Sequence, residues 1–110
     1  MQVPPDVQEF IDKFCADPVS HDLAKVVSNY SDRFLNSGVK KQEMERYWRQ
    51  TTDRFTSARG VVTDFVAEGD RVYLTGFAIT NLGTAQITEI SIVKENGQWK
   101  WCGNQRDIAP

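Results

Sequence analysis

The sequence predicts an α+β domain in which three amphipathic helices precede four antiparallel strands. In the first half of the chain, apolar residues recur at the spacing of one helical face, and after Gly60 this spacing gives way to strand alternation rich in Val, Ile, Thr and aromatic residues. Short turn segments separate the strands, and Asn96-Gly97 is a strong signal for a two-residue hairpin. Because 110 residues is close to the usual size of one domain, we expect residues 1–110 to form a single core.

The first two helices are delimited by capping and proline signals. Asp6 and Glu9 have the spacing of a capping box, which predicts that the first helix begins there. Asp17-Pro18 predicts a break, because aspartate caps helices and proline suits a first helical turn. The second helix then continues to about Phe34 and ends before Asn36-Ser37-Gly38. Apolar residues follow one face of each helix: Val7, Phe10, Ile11, Phe14 and Cys15 in the first, and Leu23, Val26, Val27, Tyr30 and Phe34 in the second.

The third helix is predicted from about Lys40 to Arg54. Its apolar side carries Met44, Tyr47, Trp48 and Phe55, and charged residues occupy most of the other positions. All three helices are therefore amphipathic, and each of them needs an apolar surface to cover. The sheet that follows is expected to supply this surface.

Four strands follow the helices, and each is expected to pair with the next. They lie near residues 58–67, 71–80, 84–95 and 98–105, with turns at Glu68-Gly69-Asp70, Asn81-Leu82-Gly83 and Asn96-Gly97. Period-two alternation places a nearly apolar face under the helices: Val61, Thr63, Phe65, Val72, Leu74, Ile90, Ile92, Trp99 and Trp101. The opposite face is half polar: Val62, Asp64, Tyr73, Thr75, Phe77, Ile87, Glu89, Ser91, Lys100, Cys102 and Asn104. This assignment depends on a three-residue loop between the second and third strands.

The charge balance and the apolar runs argue against two classes of partner. The chain has 13 basic and 15 acidic residues, mixed along its length, whereas nucleic acid favours a basic face, so we expect no nucleic-acid partner. The longest apolar runs are too short to cross a bilayer, and no membrane partner is expected. Met1 to Pro5 lacks the features of a signal peptide. The sequence does not decide whether the protein is cytoplasmic or is exported after removal of a leader.

The potential metal ligands are few and scattered. Cys15 and Cys102 lie far apart in the sequence, and His21 is the sole histidine. Because zinc sites need paired ligand spacing, we expect no metal site, no cofactor and two free thiols. His21 is expected in the first turn of the second helix, at a surface or capping position.

Three segments together resemble the nuclear-transport-factor-2-like superfamily, whose members have a cystatin-like fold. They are Tyr30 to Leu35, Tyr47 to Arg49, and Glu95 to Trp101, which forms an Asn-Gly hairpin with two tryptophans. The resemblance covers essentially the whole chain. It implies a cone in which a strongly curved sheet wraps a long helix, leaves a pocket beside it, and often forms dimers through its outer face. The chain departs from this pattern in one respect, since only Phe34 to Asn36 could form the strand that usually lies between the second and third helices.

The resemblance also implies what an enzyme of this superfamily would need. Its isomerases, dehydratases and cyclases resemble one another in placing a base and a proton donor inside a dry pocket. The face predicted to lie under the helices carries no carboxylate, and Asp64 and Glu89 are assigned to the opposite face. The remaining catalytic candidates are Tyr30 or Tyr47 as donor and Asp32 or Asp53 as base.

The same aromatic residues could instead form a core or bind a ligand. Tyr and Trp side chains on apolar stripes usually pack in a core, but they also orient small molecules in apolar pockets. The candidate ligand-binding residues are Tyr30, Tyr47, Trp48, Thr63, Thr88 and Trp101.

Three functions follow from these observations. The first is a noncatalytic module for a small hydrophobic ligand or an interaction, homodimeric through an outer sheet face that includes Tyr73, Glu89, Ser91 and Cys102. The second is an isomerase, dehydratase or cyclase that acts by proton transfer on a small hydrophobic substrate. The third is a structural assembly domain with a filled core.

Overall fold

The architecture confirms the predicted fold class. A computed structural model describes residues 2–105, in which three α-helices pack on one face of a four-stranded antiparallel sheet. The helices are α1 (Pro5–Ser20), α2 (Leu23–Ser28) and α3 (Lys41–Thr51), followed by a 3-10 helix (Thr52–Arg54). A small hairpin, β1 (Leu35–Asn36) and β2 (Val39–Lys40), precedes α3. The main sheet has the order β3 (Ala58–Glu68), β4 (Arg71–Thr80), β5 (Gly83–Glu95) and β6 (Gln98–Gly103).

The beginning of α1 differs from the prediction. The N-cap residue is Pro4, and no side chain caps the helix. The capping box predicted for Asp6 and Glu9 is wrong, because the Asp6 carboxylate accepts a hydrogen bond from Trp99 Nε1 at 2.9 Å and lies 3.6 Å from Lys94 Nζ. Asp6 therefore joins the helix to the last hairpin rather than capping its own helix.

The predicted break at Asp17-Pro18 is also wrong, since α1 continues through Pro18 to Ser20. Side-chain hydrogen bonds hold this last turn: the buried Asp17 carboxylate accepts from Lys13 Nζ, one turn earlier in α1, at 2.6 Å and from Asn29 Nδ2, at the end of α2, at 2.8 Å. His21 ends α1 in the left-handed conformation with φ of 61°, and its Nε2 lies 2.8 Å from the Phe55 carbonyl oxygen. His21 is thus a capping residue, but of α1 and not of α2.

Helix α2 is shorter than predicted, because it ends at Ser28 instead of continuing to Phe34. The backbone that follows pairs with β6: Trp101 N donates to Asn29 O at 2.7 Å, and Ser31 N donates to Trp101 O at 3.0 Å. These bonds use groups that a longer helix would need internally. A strand between the second and third helices was expected at Phe34 to Asn36, and β1 (Leu35–Asn36) lies there.

The strands match the prediction closely, but bulges change their faces near one end. Thr80 pairs with Gly83, so the loop between β4 and β5 has two residues, Asn81 and Leu82, and not three. A register shift between Leu74 and Gly76 compensates for the shorter loop, so that Leu74 pairs with Ile90 and both residues lie on the predicted inner face. A second irregularity separates Val62 from Asp64 on β3. The predicted inner face is therefore right between the bulges and the β3–β4 and β5–β6 hairpins. It is wrong between the bulges and the β4–β5 hairpin.

The core lies between α1 and the correctly assigned part of the sheet. Val7, Phe10 and Ile11 of α1 pack against strand residues Val72, Leu74, Ile90 and Ile92, which are all buried. A second cluster joins α2, α3 and the segment between them: Val26, Tyr30, Phe34, Trp48 and Phe55. Over residues 2–105, none of the helices is both long enough and apolar enough to span a bilayer.

Candidate ligand-binding cleft

The sheet leaves a cleft beneath α1 and α3 at its end nearest the β4–β5 hairpin. The residues that face the helices at this end are small: Ala58, Gly60, Gly76, Ala78 and Ala85. A Cβ atom added at Gly60 would meet Ile11 Cγ2 at 2.8 Å, so this glycine allows α1 to approach β3 closely. Small side chains elsewhere on these strands leave space that the helices do not fill.

The cleft has an inner and an outer part. The inner part has a volume of about 100 Å³ and lies between Ile11, Phe14, Leu74, Ile87 and Trp101. The outer part has a volume of about 370 Å³ and opens to solvent beside Tyr47 and Leu82, which are 47% and 48% exposed. Phe14, Cys15 and Ala78 line both parts, so the two parts are adjacent. Together they are of the size that binds small molecules.

Aromatic rings from α1, α3, β6 and Phe55 form one wall of the cleft. Phe14 stacks on Trp101 with ring centroids 4.2 Å apart and an interplanar angle of 20°. Farther out, Trp48 packs against Phe55 at 5.2 Å and against Tyr47 at 5.2 Å. Three of the predicted ligand-binding residues, Tyr47, Trp48 and Trp101, therefore come together at one cleft.

Tyr30 lies behind this wall and is not among the residues that line the cleft. Its ring is buried against Phe14 and Phe34, and its hydroxyl oxygen accepts a hydrogen bond from Trp48 Nε1 at 2.9 Å. Burial raises the pKa of the Tyr30 hydroxyl well above its usual value, and the hydrogen bond from Trp48 offsets this effect only in part. Tyr30 thus positions Trp48 rather than facing the cleft.

The two predicted base candidates lie outside the cleft. The Asp32 side chain is 94% exposed and pairs with Lys41 Nζ at 2.9 Å. The hydrogen bond and the charge of Lys41 lower the pKa of the Asp32 carboxyl. Asp53 is exposed in the 3-10 helix. Neither carboxylate lines the cleft, and the structure does not bring either one together with Tyr30 or Tyr47 there.

Thr63 and Thr88 are exposed at the bulges of β3 and β5 and line neither part of the cleft. Thr63 Oγ1 donates to the Thr75 carbonyl oxygen at 3.2 Å. The expectation that Thr63 faces the helices is wrong, because the bulge places Val62 against the core in its stead. Ile87 likewise packs toward the helices, although alternation assigned it to the outer face.

The sequence pattern placed Cys15 in the core but did not identify it as a cleft residue. Its thiol lines both parts of the cleft. Burial, with a smaller contribution from the negative charge of Asp12, raises the pKa of the Cys15 thiol to about 11. The thiol is therefore a protonated, apolar group at neutral pH. Both cysteines are free.

Three of the four residues predicted for a dimer interface are buried within the chain itself. Ser91 and Cys102 are 0% exposed, and Tyr73 is 7% exposed. Side chains of Ser31, Arg33, Arg71 and Glu95 surround the Cys102 thiol, and burial raises its pKa. The sequence prediction failed for Cys102 because the segment after α2 runs beside β6 and places Ser31 and Arg33 next to this thiol. Only Glu89 of the four is exposed, at a bulge with φ of 49°.

No metal centre is found in residues 2–105, where His, Cys, Asp and Glu side chains do not gather in groups of three or more. The cleft contains one such side chain, that of Cys15. Charged side chains are absent from both described lining sets. The arrangement can bury apolar surface and offer the hydroxyl groups of Tyr47 and Thr84 at its opening.

Solved structures share this fold at low sequence identity. A conserved protein from Planctomyces limnophilus has a TM-score of 0.71 at 14% identity, with 89% of each chain covered. Bd1075 from Bdellovibrio bacteriovorus has a TM-score of 0.69 at 12% identity; 89% of this chain is covered but only 37% of Bd1075. A proposed dehydratase of the nuclear-transport-factor-2-like family from Streptomyces avermitilis has a TM-score of 0.59 at 12% identity, with 89% of each chain covered. No protein-family model matches the sequence, and no curated protein matches it.

Proposed function

We propose that this chain, which has the nuclear-transport-factor-2-like fold, is a noncatalytic module that binds a small apolar molecule in the cleft between helices and sheet. The observation that carries the proposal is the composition of the cleft, whose described lining contains no Asp, Glu, Lys, Arg or His. Such a lining favours ligands that release apolar surface from water.

The two parts of the cleft indicate how such a ligand is oriented. The inner part offers the flat faces of Phe14 and Trp101 and no charged partner, so a charge placed there would lose its hydration without compensation. The outer part offers hydroxyl groups and contact with water. We therefore expect an uncharged ring or chain inside and any polar group at the opening.

The positions of the catalytic candidates support binding rather than proton transfer. A general base must come within hydrogen-bond reach of the proton that it removes. Asp32 is held at the surface by Lys41, and Asp53 is exposed on the 3-10 helix. Tyr30 is buried behind Trp48. An isomerase, dehydratase or cyclase activity would need a base other than these residues.

The homodimer is part of the proposal, with a changed set of contact residues. Val66 and Phe77 lie on the outer sheet face and are 51% and 39% exposed, so they offer large apolar side chains to a second copy. They replace Tyr73, Ser91 and Cys102, which are buried within the chain. The interface would then lie on the opposite side of the sheet from the cleft.

Native mass spectrometry of the purified protein tests both parts of this proposal. A dimer that carries an additional mass of small-molecule size, released when the protein is denatured, is the expected result. Loss of the additional mass from a variant with a filled cleft, Ala78→Leu, would place the molecule in the cleft; Gln86→Leu on the other sheet face is the control and should retain it.

Other outcomes have distinct meanings. If the protein is a dimer without a bound molecule, and a neutral apolar dye such as Nile red does not bind to it, the module is an assembly domain and the ligand proposal is wrong. A monomer with a bound molecule would remove the homodimer and keep the ligand. Rapid chemical change of a bound molecule during incubation would favour an enzyme.

A further inference from the structure

The opening of the cleft is held by one side chain that does not line it. Asn81 is the first residue of the β4–β5 loop, and its amide group joins this loop to the segment between the 3-10 helix and β3. Asn81 Oδ1 accepts from Thr56 N at 2.9 Å and from Ser57 N at 3.3 Å. Asn81 Nδ2 donates to the Arg54 carbonyl oxygen at 3.0 Å.

These three bonds join the two sides of the cleft opening. Phe55 follows Arg54 and belongs to the aromatic wall, while Leu82 follows Asn81 and borders the cleft from the sheet side. The backbone adds one more bond, from Asn81 N to Ser57 O at 3.2 Å. Movement of the hairpin away from the aromatic wall therefore requires the Asn81 side chain to release its partners.

We propose that Asn81 is a positioning residue that sets the width of the cleft opening and thereby limits how fast a ligand enters and leaves. The ligand part of this inference rests on the proposed function, but the width of the opening does not. A two-residue loop has little freedom of its own, so its position depends on what its ends and its side chains bind. Asn81 is the side chain of this loop that binds across the opening.

The chain offers a matched control in Asn104. Its side chain also joins a hairpin to a neighbouring strand, because Asn104 Oδ1 accepts from Ser37 N at 2.9 Å and Asn104 Nδ2 donates to Ser37 Oγ at 2.7 Å. This contact lies near β1 and Cys102, away from the cleft. Asn81→Ala and Asn104→Ala thus remove comparable amide contacts at two different places.

Each cysteine serves as a probe of one of these regions: Cys15 of the cleft, and Cys102 of the region around Asn104. Cys15 lines the cleft, whereas Cys102 is buried on the outer side of β6. Labelling of the folded protein with a bulky maleimide, with each site quantified by peptide mass spectrometry, measures access to each thiol. We expect Asn81→Ala to accelerate the labelling of Cys15 about tenfold, the change expected from losing one or two net hydrogen bonds, and to leave Cys102 unchanged.

A conservative variant, Asn81→Asp, and the rates of ligand association and dissociation complete the test. Asn81→Asp keeps an acceptor for Thr56 N and Ser57 N, so it should restore most of the slow labelling of Cys15. With Nile red as the probe, Asn81→Ala should raise the association and dissociation rates by a similar factor, with little change in the dissociation constant. A general loss of stability would not produce this pattern.

Two results would overturn the inference: unchanged labelling of Cys15 in Asn81→Ala, or equal acceleration of Cys15 in Asn104→Ala. Failure of the proposed function looks different. If the wild-type protein binds no dye and retains no ligand, the binding proposal fails, and the labelling rates of Cys15 alone decide the role of Asn81.

Discussion

The two ends of the inner sheet face differ in the size of the side chains that they carry. Near the β3–β4 and β5–β6 hairpins, Val72, Leu74, Ile90 and Ile92 are 0% to 5% exposed and pack on the first turns of α1. Near the β4–β5 hairpin, Gly76, Ala78 and other small residues line a cleft beside Phe14 and Cys15 of α1. We call these the filled end and the hollow end. If the proposed ligand binds at the hollow end, stability and binding depend on different ends of the same sheet.

The bulges lie at the boundary between the two ends. The register of β3 with β4 shifts between Val62 and Asp64, and that of β4 with β5 shifts after Leu74. Gly76 lies beside both shifts, and a Cβ atom there would collide with the Val61 carbonyl oxygen. The strands thus approach each other more closely than a side chain would permit, as expected where a sheet bends.

The largest expected effect concerns the filled end. Ile92→Ala should lower the free energy of unfolding by about 3–4 kcal/mol, because it leaves a cavity in a close-packed region. Urea unfolding measures this change, and Nile red binding should stay within about twofold of the wild type because Ile92 does not line the cleft. The control Gln50→Ala, at an exposed site on α3 outside the proposed interface, should cost no more than about 0.5 kcal/mol. A loss of binding in Ile92→Ala without unfolding would contradict the separation of the two ends.

The next effect tests whether the hollow end excludes water. Because the pKa of Cys15 is raised to about 11, its thiolate fraction at pH 8 is low, and alkylation should be about a hundredfold slower than that of an ordinary free thiol. The rate should increase about tenfold per pH unit up to about pH 10, since the thiolate is the reactive form. Iodoacetamide labelling followed by mass spectrometry provides the rates, with the denatured protein as control. Fast labelling at pH 8 would mean that the cleft is open to water around Cys15.

A third prediction converts the hollow end into a filled one. Ala78→Leu should weaken Nile red binding by about thirtyfold, or about 2 kcal/mol, because the new side chain occupies the space shared by both parts of the cleft. Its unfolding free energy should change by no more than about 1 kcal/mol, since the leucine enters existing space. Gln86→Leu is the matched control on the opposite face and should bind as the wild type does. A destabilisation of Ala78→Leu as large as that of Ile92→Ala would show that this end is packed after all.

The smallest predicted effect separates the two tyrosines. Tyr30→Phe should lower the free energy of unfolding by about 1.5 kcal/mol, because the buried Trp48 Nε1 loses its acceptor. Tyr47→Phe, at a half-exposed site on the cleft rim, should change it by less than about 0.5 kcal/mol. Urea unfolding followed by tryptophan fluorescence measures both variants. Equal stability of the two would mean that the bond from Trp48 to Tyr30 contributes little.

The sequence predicted the fold well because helix spacing, strand alternation and turn residues are local signals. It predicted α2 poorly, since the backbone after Ser28 is bound by Trp101, a residue far along the chain. It predicted a break at Pro18 because one of the bonds that hold the last turn of α1 comes from Asn29, which lies at the end of another helix. In each case a tertiary contact overcame a local preference.

The large residues of the candidate cleft could be predicted from the sequence, but the small residues that create its space could not. Trp48 and Trp101 were identified as candidates because aromatic residues on an apolar face are informative by themselves. The alanines and glycines that create the cleft carry a signal only once their face is known, and the bulges obscured that face for Thr63 and Thr88. A row of small residues at matching positions of neighbouring strands is the signal that could have found the cleft.

The segment after α2 also decides how two copies of the chain can meet. It pairs in parallel with β6 at Tyr30 and Trp101, which shields one edge of the main sheet. The other edge is β3, which pairs with β4 alone among the described strands and carries Arg59, Asp64 and Glu68 beside a bulge. Charges and bulges on an edge strand oppose the addition of further strands. Association through continuous sheet formation is therefore disfavoured at both edges, so the proposed homodimer would form through a sheet face and not through a sheet edge.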